Sequence, residues 1–293
     1  MPGAGTPRAV EVVRAGPLTT VQDGGRVGVA ALGVPRGGAL DPVALRLANL
    51  LVGNDPGAAV LETTLGGVAL RALTPLVAAV LGAPAPVRVD GRAAAWGAPV
   101  RVPAGAVLEV GAVTAGVRCY LALSGGVDLP RVLGSRSADL LSGLGPAPLT
   151  AGQRLPLGAA AGPPRGLDLL PLPAPPRELV LRLDPGPRED WFGPDALLRL
   201  ATARYTVAPA SNRVGLRLHG PALERLPDRG ELPSEGMVLG AVQIPPDGLP
   251  VVFLADHPTT GGYPVVGVVR VDDLRAAAQA PPGTSVRFVR SYR

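Results

Sequence analysis

Short apolar runs alternate along the chain with clusters of Gly, Pro and polar residues, and few stretches sustain the stripe a helix needs. Val10 to Val13, Leu18 to Val21, Val60 to Thr63, Leu76 to Leu81, Val87 to Val89, Val107 to Val110 and Val117 to Leu123 have the length and Val/Leu content of strands in a sandwich or barrel. One helix interrupts them: Asp41 suits the N-cap, Pro42 the first helical position, Val43 to Val52 is rich in Leu and Ala, and Gly53 suits the left-handed residue past its end. Only Arg46 and Asn49 are polar within it, so the rest of its surface is predicted to be buried.

Residues 161–176 are proline-rich and cannot pair inside a sheet, which places a linker there between domains at 1–160 and 177–293. Strands are predicted beyond it at Leu179 to Leu183, Arg204 to Val207, Val214 to Leu218, Val238 to Ile244 and Val286 to Val289. A short helix is expected near Asp195 to Ala201, and another from Asp272 or Asp273 through Gln279. Pro246-Asp247-Gly248 is a turn joining Val238 to Ile244 to the next strand. A faint echo links the halves: Thr20-Val21 with Arg26-Val27-Gly28 is answered by Thr206-Val207 with Arg213-Val214-Gly215, and Glu62 by Glu235. Two related β-barrels in tandem and chance similarity both account for it.

The segment from Asp256 to Pro264 is a polar, glycine-bearing loop between the apolar runs Val251 to Ala255 and Val265 to Val269. Gly261 and Gly262 are expected to take positive φ and to present N–H groups to an anion, with the hydroxyls of Thr259, Thr260 and Tyr263 as added donors and Asp256 as an acceptor. A plain Gly-Gly hairpin whose polar side chains satisfy their own backbone is the other reading.

Composition narrows the chemistry. The chain has 293 residues, room for two cores, and 47% apolar residues argue against disorder despite 40 Gly and 35 Pro. Its 28 basic residues are all Arg; without Lys there is no P-loop lysine, no Schiff base and no attachment point for biotin. The arginines are scattered and aromatics are only 3%, which argues against a nucleic-acid surface. The single cysteine, Cys119, forms no internal disulfide and reads as a small buried hydrophobe. No apolar run suits a membrane span or a signal peptide, so a cytoplasmic protein is expected.

Three further clusters carry candidate groups. In Thr20 to Arg26, Asp23 and Arg26 either pair across a turn or leave Arg26 to grip a carboxylate or phosphate. Ser211-Asn212-Arg213 reads as a solvated turn before a strand. Glu235, near Gln243 in the inferred meander, is a buried partner for Arg213 or a general acid or base. Only two histidines are present and no ligand spacing matches a metal site.

These stretches, with Gly37 to Asp41, Ala48 to Asn54, Leu61 to Gly66, Tyr120 to Asp128, Leu133 to Ser135 and Val242 to Pro245, resemble the family of the 5-oxoprolinase C component. The family is also described as allophanate hydrolase subunit 2, KipI antagonist or biotin-dependent carboxyltransferase. The resemblance implies a mainly β fold of tandem cyclophilin-like β-barrel domains with a few short helices. It implies ATP-dependent opening of 5-oxo-L-proline to L-glutamate, with Mg2+ on the complex and with homologues of the 5-oxoprolinase A and B components as partners. Two alternatives accompany it: a carboxyltransferase module served by biotin on another chain, and a noncatalytic antagonist of a KipI-like regulator. Under it Asp256, Glu235 and Arg213 are the expected catalytic residues. Gln22, Asp23, Arg26, Asn54, Glu62, Ser211, Gln243, Thr259, Thr260, Gly261, Gly262 and Tyr263 are the expected substrate or ATP contacts, and Arg213→Ala is expected to abolish activity without unfolding the protein. Pro258 stands where the family usually has Gln, and Gly143-Leu144-Gly145-Pro146 is shorter than its usual glycine-rich run.

Overall fold

The computed structural model describes residues 7–165 and 176–290 and is mainly β, with three α-helices among them. Most of the predicted linker, 161–176, lies outside the described residues. The chain divides into two units: the first holds residues 1–26, 41–139 and 143–174, the second 27–40, 140–142 and 175–293.

The first unit carries its strands in two sheets. They are β1 (Ala9–Arg14), β2 (Leu18–Gln22), β3 (Val60–Thr64), β4 (Ala69–Ala72), β5 (Leu76–Gly82), β6 (Val87–Val89), β7 (Arg92–Ala94), β8 (Val100–Val102), β9 (Val107–Val110), β10 (Arg118–Leu123) and β11 (Arg154–Pro156). One sheet runs β11-β1-β4-β9-β6-β7 and the other β2-β3-β10-β5-β8. Alternate residues turn inward: Val10, Val12, Leu70 and Leu108 from one sheet meet Val21, Leu61, Val80 and Leu121 from the other in a single core. Each such side chain contributes about 1.5–3 kcal/mol on burial. Helix α1 (Pro42–Leu51) begins as the sequence predicts, with Asp41 Oδ1 accepting from Ala44 N–H at 3.0 Å. Asn49 departs from the expected polar face: it is fully buried and donates to Ala58 O at 2.7 Å.

The second unit closes a seven-stranded barrel, in ring order β12 (Glu178–Pro185), β19 (Val265–Val269), β16 (Ala241–Gln243), β17 (Val251–Phe253), β14 (Gly215–His219), β13 (Tyr205–Val207) and β20 (Ser285–Arg290). The ring is sealed where β20 lies parallel to β12. Leu181, Val242, Val252, Val266 and Phe288 fill it, and Leu197 and Leu200 of α2 (Ala196–Thr202) join the same core. The expected turn is present: Gly248 N–H bonds to Pro245 O at 3.0 Å, and β16 and β17 run antiparallel on either side. Helix α3 (Val271–Ala278) starts before the expected aspartates, with Asp273 instead accepting from Arg182 N–H at 2.7 Å.

The strands flanking the Asp256 loop, β17 and β19, lie in one barrel but are not neighbours, because β16 lies between them. The loop forms a small ladder of its own, β18 (Thr260–Gly261) with β15 (Glu235–Gly236).

Candidate functional site

Most of the predicted residues of the second unit lie on the Asp256 loop, on β16 and in the turn before β14. Asp256 opens the loop and is fully buried; its carboxylate receives Arg213 Nε at 2.8 Å and Nη2 at 2.9 Å, fork to fork. Arg213 Nη2 also donates to Gly38 O at 2.6 Å, and Asp256 N–H to Arg213 O at 3.1 Å. This closed pair ties the loop to the turn before β14. Replacing Arg213 would leave the Asp256 carboxylate buried without its partner, a cost to stability of about 3–5 kcal/mol.

Glu235 does not reach Arg213. Its partner is Arg188, a residue without a sequence signal, and the hydrogen bond from that guanidinium holds the Glu235 carboxyl below its ordinary range. Both side chains stay partly exposed. Through β15 and β18 Glu235 stands opposite Gly261.

Neither Gly261 nor Gly262 adopts positive φ, so the expected anion-cradling turn is not formed. Gly261 lies close to Gln243, whose Nε2 a Cβ at 261 would approach to 2.9 Å. Thr259 contributes its carbonyl to Met237 N–H at 2.8 Å, while Thr260 is exposed. Gln243 and Tyr263 line one cavity of about 160 Å³ with Asn212, Arg217, Val251 and Phe253. Gln243 Nε2 donates to Tyr263 O at 3.2 Å, and the Arg225 guanidinium lies 5.6 Å from the Tyr263 ring centre. Ser211 and Asn212 make the predicted turn: Ser211 Oγ accepts from Arg217 N–H at 3.0 Å and Asn212 Oδ1 from Val214 N–H at 2.8 Å.

In the first unit, Asp23 and Arg26 do not pair. The Asp23 carboxylate is taken up by the hydroxyls of Ser135 and Ser137 and by the N–H groups of Gly25 and Arg136. Arg26 reaches Ser137 O at 2.6 Å, and Gln22 Nε2 reaches Thr20 Oγ1 and Ala138 O, each at 3.0 Å. Asn54 spends its amide on Asn49 Oδ1, Leu123 O and Gly125 N–H, a framework role. Glu62 is buried on β3 with Arg118 Nε at 3.7 Å. Burial, then the charges of Glu62 and Asp41, push the Tyr120 phenol far up; its oxygen accepts from Asp41 N–H at 2.7 Å.

Against this geometry the comparisons are specific. The model of the carboxyltransferase domain, subdomain A and B, matches residues 32–290. This chain belongs to that family. The carboxyltransferase-domain chain is 39% identical to the C component of 5-oxoprolinase from Escherichia coli (strain K12), covering 96% of itself and 90% of that protein. It is 33% identical to the urea amidolyase of Lachancea kluyveri, covering 97% of itself and 17% of that protein. Among solved structures it matches TTHA0988 with TM-score 0.87 and 38% identity, over 99% of itself and 57% of that chain. It matches the K. lactis urea amidolyase with TM-score 0.90 and 32% identity, over 98% of itself and 19% of that chain.

For ATP the described cavities fit poorly. The 160 Å³ cavity is below the ~300–1,000 Å³ of drug-sized ligand sites. Larger openings of about 580 and 410 Å³ carry Glu189 with Asp190, and Glu224 with Asp247 against Arg225, charges that repel a polyphosphate. Among the described residues no group of three or more His, Cys, Asp or Glu could hold a metal, and no helix is long and apolar enough to cross a membrane.

Arg188, Ser135, Ser137 and Arg217 were not singled out as site residues in the sequence. Arg188 lies 47 positions from Glu235, and pairing at that separation leaves no local pattern.

Proposed function

We propose that this chain is the C component of an ATP-dependent 5-oxoprolinase, which opens 5-oxo-L-proline to L-glutamate together with A and B components. The observation that carries the reading is the 39% identity to a 5-oxoprolinase C component over 90% of that protein, where the urea amidolyase is matched over only 17% of its length. The cavity at Gln243 supports it, being sized for a small metabolite and edged by amide and guanidinium groups that suit a lactam.

A lactam resists water because its nitrogen lone pair is delocalised into the carbonyl. ATP would supply the activation of that oxygen, and its binding is assigned to the complex outside the cavities described. In this chain Gln243 and Tyr263 would orient the ring. Glu235, partly exposed beside Arg188, would orient or accept a proton, while the Asp256–Arg213 pair would keep the loop in position.

A second reading is favoured by the carboxyltransferase family model and the TM-score of 0.90 to a urea amidolyase. With no Lys of its own, this chain would receive a carboxyl group from biotin on another chain. The deciding experiment mixes this chain with its cognate A and B components, 5-oxo-L-proline and ATP, and follows glutamate with each component omitted in turn. Glutamate formation that requires this chain is expected. A well-formed complex that releases none, yet transfers labelled carboxyl groups from carboxybiotin, would establish the second reading instead.

A further inference from the structure

Along β14 the side chains alternate: Leu216 and Leu218 enter the barrel core, so Gly215 and Arg217 face the other way. Val251 and Phe253 of β17 and Gln243 of β16 share that outer face, because their neighbours Val252 and Val242 are core residues. The strand registers set three of them in a row. Arg217 pairs with Val251, and Val251 with Gln243. The guanidinium and the amide are therefore carried two strand spacings apart, about 10 Å at the backbone, with a valine between them. The cavity of about 160 Å³ is lined by all three.

This face has a charge preference. Arg217 is exposed, and all of its hydrogen bonds among the described residues are made by its backbone, in the β14 ladder and with Ser211 and Ala208, so its guanidinium is uncommitted. Arg225, beside Tyr263, is engaged already: its Nη2 donates to Ile244 O at 2.9 Å and its guanidinium lies 5.6 Å from the tyrosine ring centre. No Asp or Glu is among the described residues lining the cavity, so nothing there neutralises Arg217. Gln243 spends Nε2 on Tyr263 O, which leaves Oε1 to accept.

We propose that Arg217 is the specificity-determining residue of this cavity, selecting a small amide that carries a carboxylate over one that is neutral. The guanidinium pairs with the carboxylate, Gln243 Oε1 accepts the ligand's N–H, and Val251 and Phe253 meet its carbon atoms. Naming that ligand as 5-oxo-L-proline rests on the 5-oxoprolinase reading. The same selection works against urea, which has the amide and lacks the carboxylate.

The test is equilibrium binding to the full chain with 5-oxo-L-proline, with urea, and with 2-pyrrolidinone, which keeps the lactam without the carboxylate. The parent should bind 5-oxo-L-proline about tenfold or more tighter than either neutral amide, the ratio that a hydrogen bond to a charged group supplies. Arg217→Met should bind 5-oxo-L-proline no better than 2-pyrrolidinone, while its affinity for 2-pyrrolidinone stays at the parent's. Arg217→Lys should keep part of the preference and Arg217→Glu should invert it. Because the side chain is exposed and holds no other group, these variants should melt with the parent. Should Arg217→Met not fold, the other two carry the same comparison. A merely structural arginine would instead lower all three affinities together. A parent that binds the acid no tighter than the neutral amides, or an Arg217→Met protein that keeps the preference, overturns the assignment. The two proposals fail separately. A preference that depends on Arg217, in a complex that releases no glutamate, sinks only the 5-oxoprolinase reading. Glutamate release by Arg217→Met at the parent rate under limiting 5-oxo-L-proline sinks only the role of Arg217.

Discussion

Asp256→Asn should lower the unfolding temperature of the second unit by about 6–20 °C. The side chains of Asp256 and Arg213 are 0% and 2% exposed, with nitrogen and oxygen 2.8 Å apart, so water screens them little. Charges centred about 4 Å apart attract by about 4 kcal/mol at an effective dielectric of about 20. Removing one partner of such a pair strands the other and costs about 3–5 kcal/mol. For a protein of this size each kcal/mol moves the midpoint by about 2–4 °C. Trp191 lies in the barrel core and Trp96 beside the core of the first unit, so fluorescence in a Trp96→Phe background reports the second unit alone. Arg213→Met should cost a similar amount. The double replacement Arg213→Met with Asp256→Leu should recover most of the loss, since no charge is left unpaired. Single variants that melt within about 2 °C of the parent, less than one kcal/mol is expected to produce, would refute the argument that the pair holds the loop. A double variant as unstable as the two losses added would refute it equally.

Cys119 should resist alkylation at pH 8 in the folded protein and react only on unfolding, because burial pushes its thiol up to about 11; mass spectrometry of iodoacetamide-treated protein checks this. The same shift has a stability sign. The folded thiol holds its proton more tightly than the unfolded one, so the contribution is complete below the unfolded value of about 8.5 and is lost as pH rises toward 11, an effect Cys119→Ala should remove from the alkaline melting profile. Glu235 acts in the opposite direction. Held low by Arg188, it stabilises the β15–β18 ladder above about pH 4.3 and loses that contribution as pH falls further, so Glu235→Gln should flatten the acid limb of the melting profile and Arg188→Met should do the same.

Local chemistry made much of the fold readable. Asp41, Pro42 and Gly53 delimit α1 because a cap, a fixed φ and a left-handed residue are properties of single residues. Runs such as Val87–Val89 and Val107–Val110 coincide with strands because alternate residues face one core. Strands at Ala69–Ala72, Arg92–Ala94, Val100–Val102 and Arg154–Pro156 are not legible in the sequence because Arg, Ala and Pro dilute the pattern, and tertiary pairing supplies what propensity does not. The candidate site was legible as residue types and not as partners. Glycines at 261 and 262 suggested positive φ, whereas neither adopts it and position 261 lies close to Gln243, a long-range fact. Pairing of Asp23 with Arg26 three residues away was one of two readings, but the serines at 135 and 137 reach the carboxylate across more than a hundred residues.

The parallel contact of β12 with β20 has a consequence for how the second unit comes into being. β20 lies between β12 and β13 and bonds to both, so until Arg290 has left the ribosome the ring has two bare edges. The parallel partner of β12, β20, is translated about a hundred residues after it, making closure a slow, non-local event. The nascent barrel must therefore wait open, with two strands offering unpaired amides to any neighbouring chain. Expression of this unit should depend on how quickly its last strand arrives.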